Sequence, residues 1–267
     1  LFEKKEAWKA QVGLMVELMS STRISSLDKP CPKSSHSKKT YSKKFISNIL
    51  FMPTNVTNTL STLEFQKIMN ERRKSLELLN SDRKFALFLD RDGVINRRIV
   101  GGYVTRPAEF EFLPGALEAM SIFSKLFYPI IVVTNQQGIG KGKMTEEQLN
   151  EIHSFMKEEI RKAGGEIHAI YHCPDLKVSH STCRKPRPGM ALRARHDFPA
   201  LNFKHSMMVG DMISDMVFGH NLGMITVLIA DEQLARKHPM LIDYRFNSLY
   251  DFAMIISKFD VQEPPKK

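Results

Sequence analysis

The residues best placed for chemistry lie in four short segments. Asp90-Arg91-Asp92-Gly93-Val94-Ile95-Asn96 follows directly on the apolar run Phe85–Leu89. Val132-Val133-Thr134-Asn135-Gln136 and Met208-Val209-Gly210-Asp211, the latter with Asp215 four residues on, likewise end apolar runs in polar groups. Arg184-Lys185-Pro186-Arg187-Pro188-Gly189-Met190 lies between them. A lone DxDG is as readily an acidic turn as a site. Three runs that deliver carboxylates and a hydroxyl to one rim, joined by a lysine, make a place to hold a phosphate and a hard cation, which oxygen ligands suit.

The elements that must position these groups alternate. From Lys84 onward apolar runs and helical patterns succeed one another, as a parallel sheet with crossover helices requires. Pro114-Gly115 opens a helix with Leu117, Met120, Ile122 and Phe123. Thr145 caps the next, with Gln148 completing a capping box. That helix buries Leu149, Ile152, Met156 and Ile160 and stops at Gly164-Gly165. Ile167–Tyr171 and Ile225–Ala230 read as strands, and Tyr244–Phe246 as a last strand before a helix over Leu249–Ile256 capped at Asn247-Ser248. The expected architecture is α/β: a Rossmann-like three-layer αβα sandwich with a mainly parallel sheet. About 17 residues separate Asn96 from Pro114, too few for a separate cap domain. A minimal cap follows, with substrate contacts drawn from short loops such as Gly101-Gly102-Tyr103-Val104.

DRDGVIN, TNQQGI, CRKPRPGM and VGDMISD occur in this order, and together they resemble the haloacid-dehalogenase-like phosphohydrolases. The finer pattern is similar to the branch of D-glycero-D-manno-heptose 1,7-bisphosphate 7-phosphatases and histidinol-phosphate phosphatases. The resemblance runs from about Lys84 to Asp231, with a family-like tail to Ile256. It implies Asp90 as nucleophile, forming an aspartyl-phosphate, and Asp92 as general acid and base. It implies Mg²⁺ held by Asp90, the backbone carbonyl of Asp92, and Asp211. Thr134 and Asn135 would bind phosphoryl oxygens, Lys185 would neutralise them, and Arg184 would meet a second phosphate. Asp215 is expected to orient Lys185 or a metal-bound water; the alternative is a cap or surface aspartate. His153, His168 and His220 are expected to pack or face solvent.

Many members of this branch carry a structural zinc loop before the CRKP motif, with a C-x-H…C-x-C ligand pattern. Here Cys173-Pro174-Asp175 and Ser181-Thr182-Cys183 keep only the outer cysteines. With half of the ligand set gone zinc is not expected, and Cys173 and Cys183 should be ordinary loop or half-buried thiols.

A formal charge of +10 over 267 residues invites a nucleic-acid partner. Yet residues 1–80 hold 14 Lys/Arg against 7 Asp/Glu, leaving the remainder near neutral. Residues 1–80 read as a basic extension, partly helical or disordered, with amphipathic spacing over 1–20, a polar linker to Asn58 and a lead-in helix from Leu60 to Leu79. The basic pairs Lys38-Lys39 and Lys43-Lys44 read as a solvated tail. The phosphatase domain is expected over 81–260, with 261–267 a tail. Three cysteines make no disulfide framework and suit a reducing cytoplasm. No run approaches a membrane span. The expected partner is a small phosphorylated metabolite, a sugar bisphosphate before histidinol phosphate. Nucleic acid and membrane are not expected, and the branch commonly works as a monomer. Polynucleotide 3′-phosphatases look similar around TNQQGIGKGK, but no kinase P-loop is present and the other motifs fit a small metabolite better. A non-catalytic module on this fold is disfavoured, since every catalytic position carries the expected residue.

Overall fold

The computed structural model describes residues 85–230 and 232–258. The expectations for residues 1–84 and for the tail lie outside them. Six strands form one parallel sheet in the order β3-β2-β1-β4-β5-β6. They are β1 (Phe85–Leu89), β2 (Phe127–Asn135), β3 (Ala169–Cys173), β4 (Ser206–Gly210), β5 (Ile225–Ile229) and β6 (Tyr244–Phe246). Every residue of β1, β4 and β5 is buried. That explains why these strands read as unbroken apolar runs: helices cover both faces of a parallel sheet.

The pleat sends alternate side chains to opposite cores. Phe85, Leu87 and Leu89 of β1 join Ile130 and Val132 of β2 and Met207 and Val209 of β4 on one face. Helices α1 (Ala116–Leu126), α3 (Glu146–Lys162) and α7 (Leu249–Ser257) close that face through Met120, Phe123, Ile152, Met156 and Phe252. Ala86 and Phe88, with Ile131, Val133 and Met208, face the other core. There α4 (Gly189–Asp197) and α5 (Ile213–Asn221) supply Met190, Ala191, Ala194 and Phe218. Each fully buried Phe or Leu contributes roughly 1.5–3 kcal/mol to stability. The three-layer αβα sandwich is therefore as expected. A four-residue helix α2 (Gln137–Gly140) and a short α6 (Glu232–Lys237) complete the described helices. Among the described residues no helix is long and apolar enough to cross a membrane.

Strand order places the chemistry. The chain leaves β1 towards β2 and β3 on one side, then returns to β4 beside β1 and continues outward. The crevice where direction reverses, at the carboxyl ends of neighbouring strands, is where such sheets bind ligands. Asp90 directly follows β1, Thr134 and Asn135 end β2, and Asp211 directly follows β4. These three strands are neighbours, so all four residues reach one rim. Between β1 and α1 the chain forms one 3₁₀ turn, Pro107–Glu109, and isolated bridges at Asn96, in keeping with a minimal cap.

The helix after the second motif starts where the capping box requires. Gln148 N donates to Thr145 Oγ at 3.2 Å, and Thr145 N donates to Gln148 Oε at 2.9 Å. Thr145→Ala removes one arm of the box and is expected to lower unfolding free energy by about 1 kcal/mol. Urea denaturation checks this, and an unchanged midpoint would mean that tertiary packing alone holds the start of α3.

Candidate active site

Asp90, Asp211 and Asp215 place carboxylate oxygens within 4.8 Å of one another. Two glycines allow that crowding. At Gly93, with φ +93°, a Cβ would lie 2.0 Å from Asp211 Oδ2; at Gly210 it would lie 2.2 Å from the Asp215 side chain. Lys185, 3% exposed, answers the charge: its Nζ is 2.9 Å from Asp90 Oδ1 and 2.7 Å from Asp215 Oδ1. Asp215 also accepts from Met212 N at 3.0 Å, which fixes it at the start of α5. Of the two expectations for Asp215, the pairing with Lys185 is what the structure has; the residue is fully buried.

Lys185 is held from behind by Asn135. Lys185 N donates to Asn135 Oδ1 at 3.0 Å, and Asn135 Nδ2 donates to Lys185 O at 3.2 Å. Both amide atoms of Asn135 are thereby committed to the lysine's backbone, so this side chain positions Lys185. Thr134 is 1% exposed and accepts from Gln136 Nε2 at 2.8 Å.

Asp92 sits in a different environment. Arg91 Nη2 forks onto its two oxygens at 2.9 and 3.0 Å, Asn96 Nδ2 donates at 3.0 Å and Gln136 Nε2 at 2.8 Å. Arg91 is itself fully buried, and its Nη1 lies 3.3 Å from His153 Nε2. A guanidinium has no acceptor, so that imidazole nitrogen must accept and the ring is neutral. Burial, reinforced by Arg91 and His172, holds the His153 pKa down at about 3.

The two acids of the DxD are consequently pushed apart. Burial raises Asp90 to about 7, with Asp215 and Asp211 adding repulsion and Lys185 offsetting part of it. Burial also pushes Asp92 upward, but Arg91, Asn96 and Gln136 outweigh it and leave Asp92 below the usual carboxylate range. Asp211 is raised to about 6 by burial and by Asp215, against the pull of Arg98.

Asp90, Asp92, Thr134, Lys185 and Asp215 line one cleft of about 450 Å³, whose lining also includes Tyr103, Lys141 and Arg184. Lys141 Nζ stands 5.8 Å from the Tyr103 ring centre, and Arg184 Nη1 donates to Asp175 O at 3.2 Å. The site therefore unites Asp90, Asp92, Thr134, Lys185, Asp211 and Asp215, with Asn135 holding the Lys185 backbone and Arg184 in the same cleft lining. Arg91 and Asn96 stand inside the DRDGVIN segment and Gln136 inside TNQQGI, so motif membership was their one signal. Arg98 belongs to no motif. Its Nη2 nevertheless donates to Asp92 O at 2.6 Å and to Asp211 Oδ1 at 2.7 Å.

The expectation for the two cysteines fails. Cys173 and Cys183 are joined as a disulfide, with Cα atoms 5.6 Å apart, and are not thiols. The loop from the end of β3 folds back on itself and brings the outer positions of C-x-D…S-x-C together. Ser181 Oγ and Asp175 Oδ2 lie 3.2 and 3.4 Å from Cys183 Sγ. As cystine the two sulfurs offer no thiolate to a metal. His168 packs as expected, accepting from Ile130 N through Nδ1 at 3.1 Å, and His220 is exposed.

Comparison with known proteins adds kinship. A family model described as "HAD-hyrolase-like" matches residues 182–250. The D-glycero-alpha-D-manno-heptose-1,7-bisphosphate 7-phosphatase of Mycobacterium bovis is 37% identical over 174 residues, 65% of this chain and 92% of that protein. The D-glycero-beta-D-manno-heptose-1,7-bisphosphate 7-phosphatase of Escherichia coli K12 is 35% identical over 182 residues, 65% of this chain and 94% of that protein. The crystal structure of a D,D-heptose 1.7-bisphosphate phosphatase from B. bronchiseptica, complexed with magnesium and phosphate, superposes with a TM-score of 0.60. It is 26% identical, covering 65% of this chain and 98% of that one.

The depressed His153 has a measurable consequence. Between about 3 and 6.5 the unfolded chain binds a proton at this residue that the folded protein refuses. Its contribution to stability is thus complete above pH 6.5 and drains away as pH falls towards 3, at up to about 1.4 kcal/mol per pH unit. His153→Gln keeps an acceptor for Arg91 and should flatten this limb in urea titrations between pH 4 and 7. Equal slopes for the two proteins would contradict a buried neutral imidazole.

Proposed function

The chain belongs to the haloacid-dehalogenase-like hydrolases related to the heptose bisphosphate phosphatases, and from that premise we propose that it removes the 7-phosphate of D-glycero-D-manno-heptose 1,7-bisphosphate, with Mg²⁺. The observation that carries this reading is the gathering of Asp90, Asp92 and Lys185 in one cleft, with Asp211 clustered against Asp90, at the carboxyl ends of β1 and β4. The domain assigned to it is 81–260, with 1–80 a basic extension and 261–267 a tail, and a monomer is the working state.

The residues suit the chemistry in order. Asp90, bound by Lys185, attacks phosphorus through a carboxylate oxygen; the ester P–O bond breaks and an aspartyl-phosphate forms. Asp92 gives a proton to the departing sugar oxygen, then takes one from the water that hydrolyses the intermediate. Its low pKa in the free protein favours the base form. A phosphate dianion arriving in the cleft opposes that ionisation, as any neighbouring negative charge does, and so favours the acid needed first. Lys185 neutralises phosphoryl oxygens beside Thr134. The oxygens of Asp90, Asp211 and the Asp92 carbonyl make a hard donor set that fits Mg²⁺, which supplies positive charge to the phosphoryl group when bound. Asp215 orients Lys185 and stays outside the chemistry.

Two further cations in the cleft lining support a bisphosphate. Arg184 and Lys141 stand near Tyr103, and a second phosphate there finds positive charge without competing for Lys185. Relatives acting on the alpha and the beta anomer are similar to this chain at 37% and 35% identity, so the anomer is left to experiment.

Phosphate release is measured with Mg²⁺ from both heptose 1,7-bisphosphate anomers, histidinol phosphate and 3′-phosphorylated DNA. One heptose anomer is expected to dominate, with Asp90→Asn lowering kcat at least about 10³-fold and Asp92→Asn about 10²–10⁴-fold. Preference for histidinol phosphate or DNA would overturn the substrate, and activity surviving Asp90→Asn would overturn the mechanism. Arg184→Ala should raise KM for the bisphosphate about tenfold with a smaller effect on kcat, since it removes binding shared by ground and transition states.

A further inference from the structure

Arg98 stands where the reading above needs a metal ion. Its Nη2 is 2.6 Å from the Asp92 carbonyl, 2.7 and 2.9 Å from the Asp211 carboxylate oxygens and 3.8 Å from Asp90 Oδ2. Its Nε adds a contact to Asp211 Oδ2 at 3.2 Å. One nitrogen is thereby surrounded by the three groups that would hold the cation.

We propose that Arg98 is an internal counter-cation of the metal site, and that it and the divalent ion exclude one another: loading requires the guanidinium to leave. The inference rests on the Mg²⁺-dependent reading of the site. Mg²⁺ draws its oxygens to about 2.0–2.1 Å in an octahedron that retains several waters. A nitrogen donating to two of those ligands, with the third nearby, lies inside the volume that the ion and its waters need. Charge points the same way. Three crowded carboxylates face the single ammonium of Lys185, so a second positive group stabilises their ionised forms, and either Arg98 or the metal can supply it.

The chain around Arg98 is built to let it go. Its side chain is 39% exposed, so the released guanidinium has solvent to enter. Val100 is 95% exposed, and Gly101 (φ +72°) and Gly102 follow, so little packing resists movement there. Arg97, by contrast, spends its guanidinium on an exposed surface pair with Glu111 at 2.8 and 2.9 Å, which makes it a control for loss of one arginine from this segment.

Mg²⁺ binding to the full chain is measured by calorimetry without substrate, for the parent protein, Arg98→Ala, Arg98→Gln and Arg97→Ala. Competition predicts that both Arg98 variants bind Mg²⁺ several-fold to about tenfold more tightly, the range expected when a partly exposed ion pair need not be broken. It also predicts a lower melting temperature without metal and a larger rise on adding it, while Arg97→Ala matches the parent. Equal or weaker Mg²⁺ binding by the Arg98 variants would overturn the proposal. Because substrate is absent, the result is independent of whether the protein hydrolyses a heptose bisphosphate; Arg98→Gln keeps the test open if the alanine variant folds poorly.

Discussion

Three carboxylates with oxygens within 4.8 Å of one another are the constraint to which the rest of the site is fitted. Burying like charges this closely costs more than any single contact returns unless positive groups are built in beside them. Lys185 meets two of the three, Asn135 fixes the lysine's backbone, and the loop from Arg184 to Pro188 exists to deliver it. Gly93 and Gly210 are needed because any side chain there would occupy the space of Asp211 or Asp215.

The same economy separates the two acids of the DxD. Asp90 faces the crowded carboxylates and is raised to about 7, whereas Asp92 faces Arg91, Asn96 and Gln136 and is lowered. The two aspartates of the DxD thus acquire different proton affinities from different neighbours, the kind of separation that lets identical side chains take different chemical roles. Behind Asp92 the support is deep: Arg91 is buried against a neutral His153 on α3 and stands 5.9 Å from the Phe110 ring. The helix that covers the sheet therefore also holds the DxD loop.

The segment between β3 and Lys185 shows a different solution to loop closure. At this turn the chain gathers two cysteines, an aspartate and a serine, with a covalent link between the outer pair. Cys183 directly precedes Arg184 and Lys185, so closing the loop there fixes where both cations begin.

The sequence alone determined the layers, most of the strand and helix positions and the identity of the principal charged groups. Unbroken apolar runs ending in Asp90, Thr134 and Asp211, helical spacing and a capping box at Thr145 are local signals, and the fold obeys them. The β3 strand was placed two residues early, because at the sheet's edge its residues alternate between buried and partly exposed. What only the tertiary structure decided is which groups meet. Arg98 reaches Asp211 across 113 residues, Asn135 reaches Lys185 across 50, and His153 supports Arg91 across 62. No periodicity or spacing records such pairs. Proton affinities and the Cys173–Cys183 link depend in the same way on burial and on loop return, which exist only once β1, β2 and β4 lie side by side.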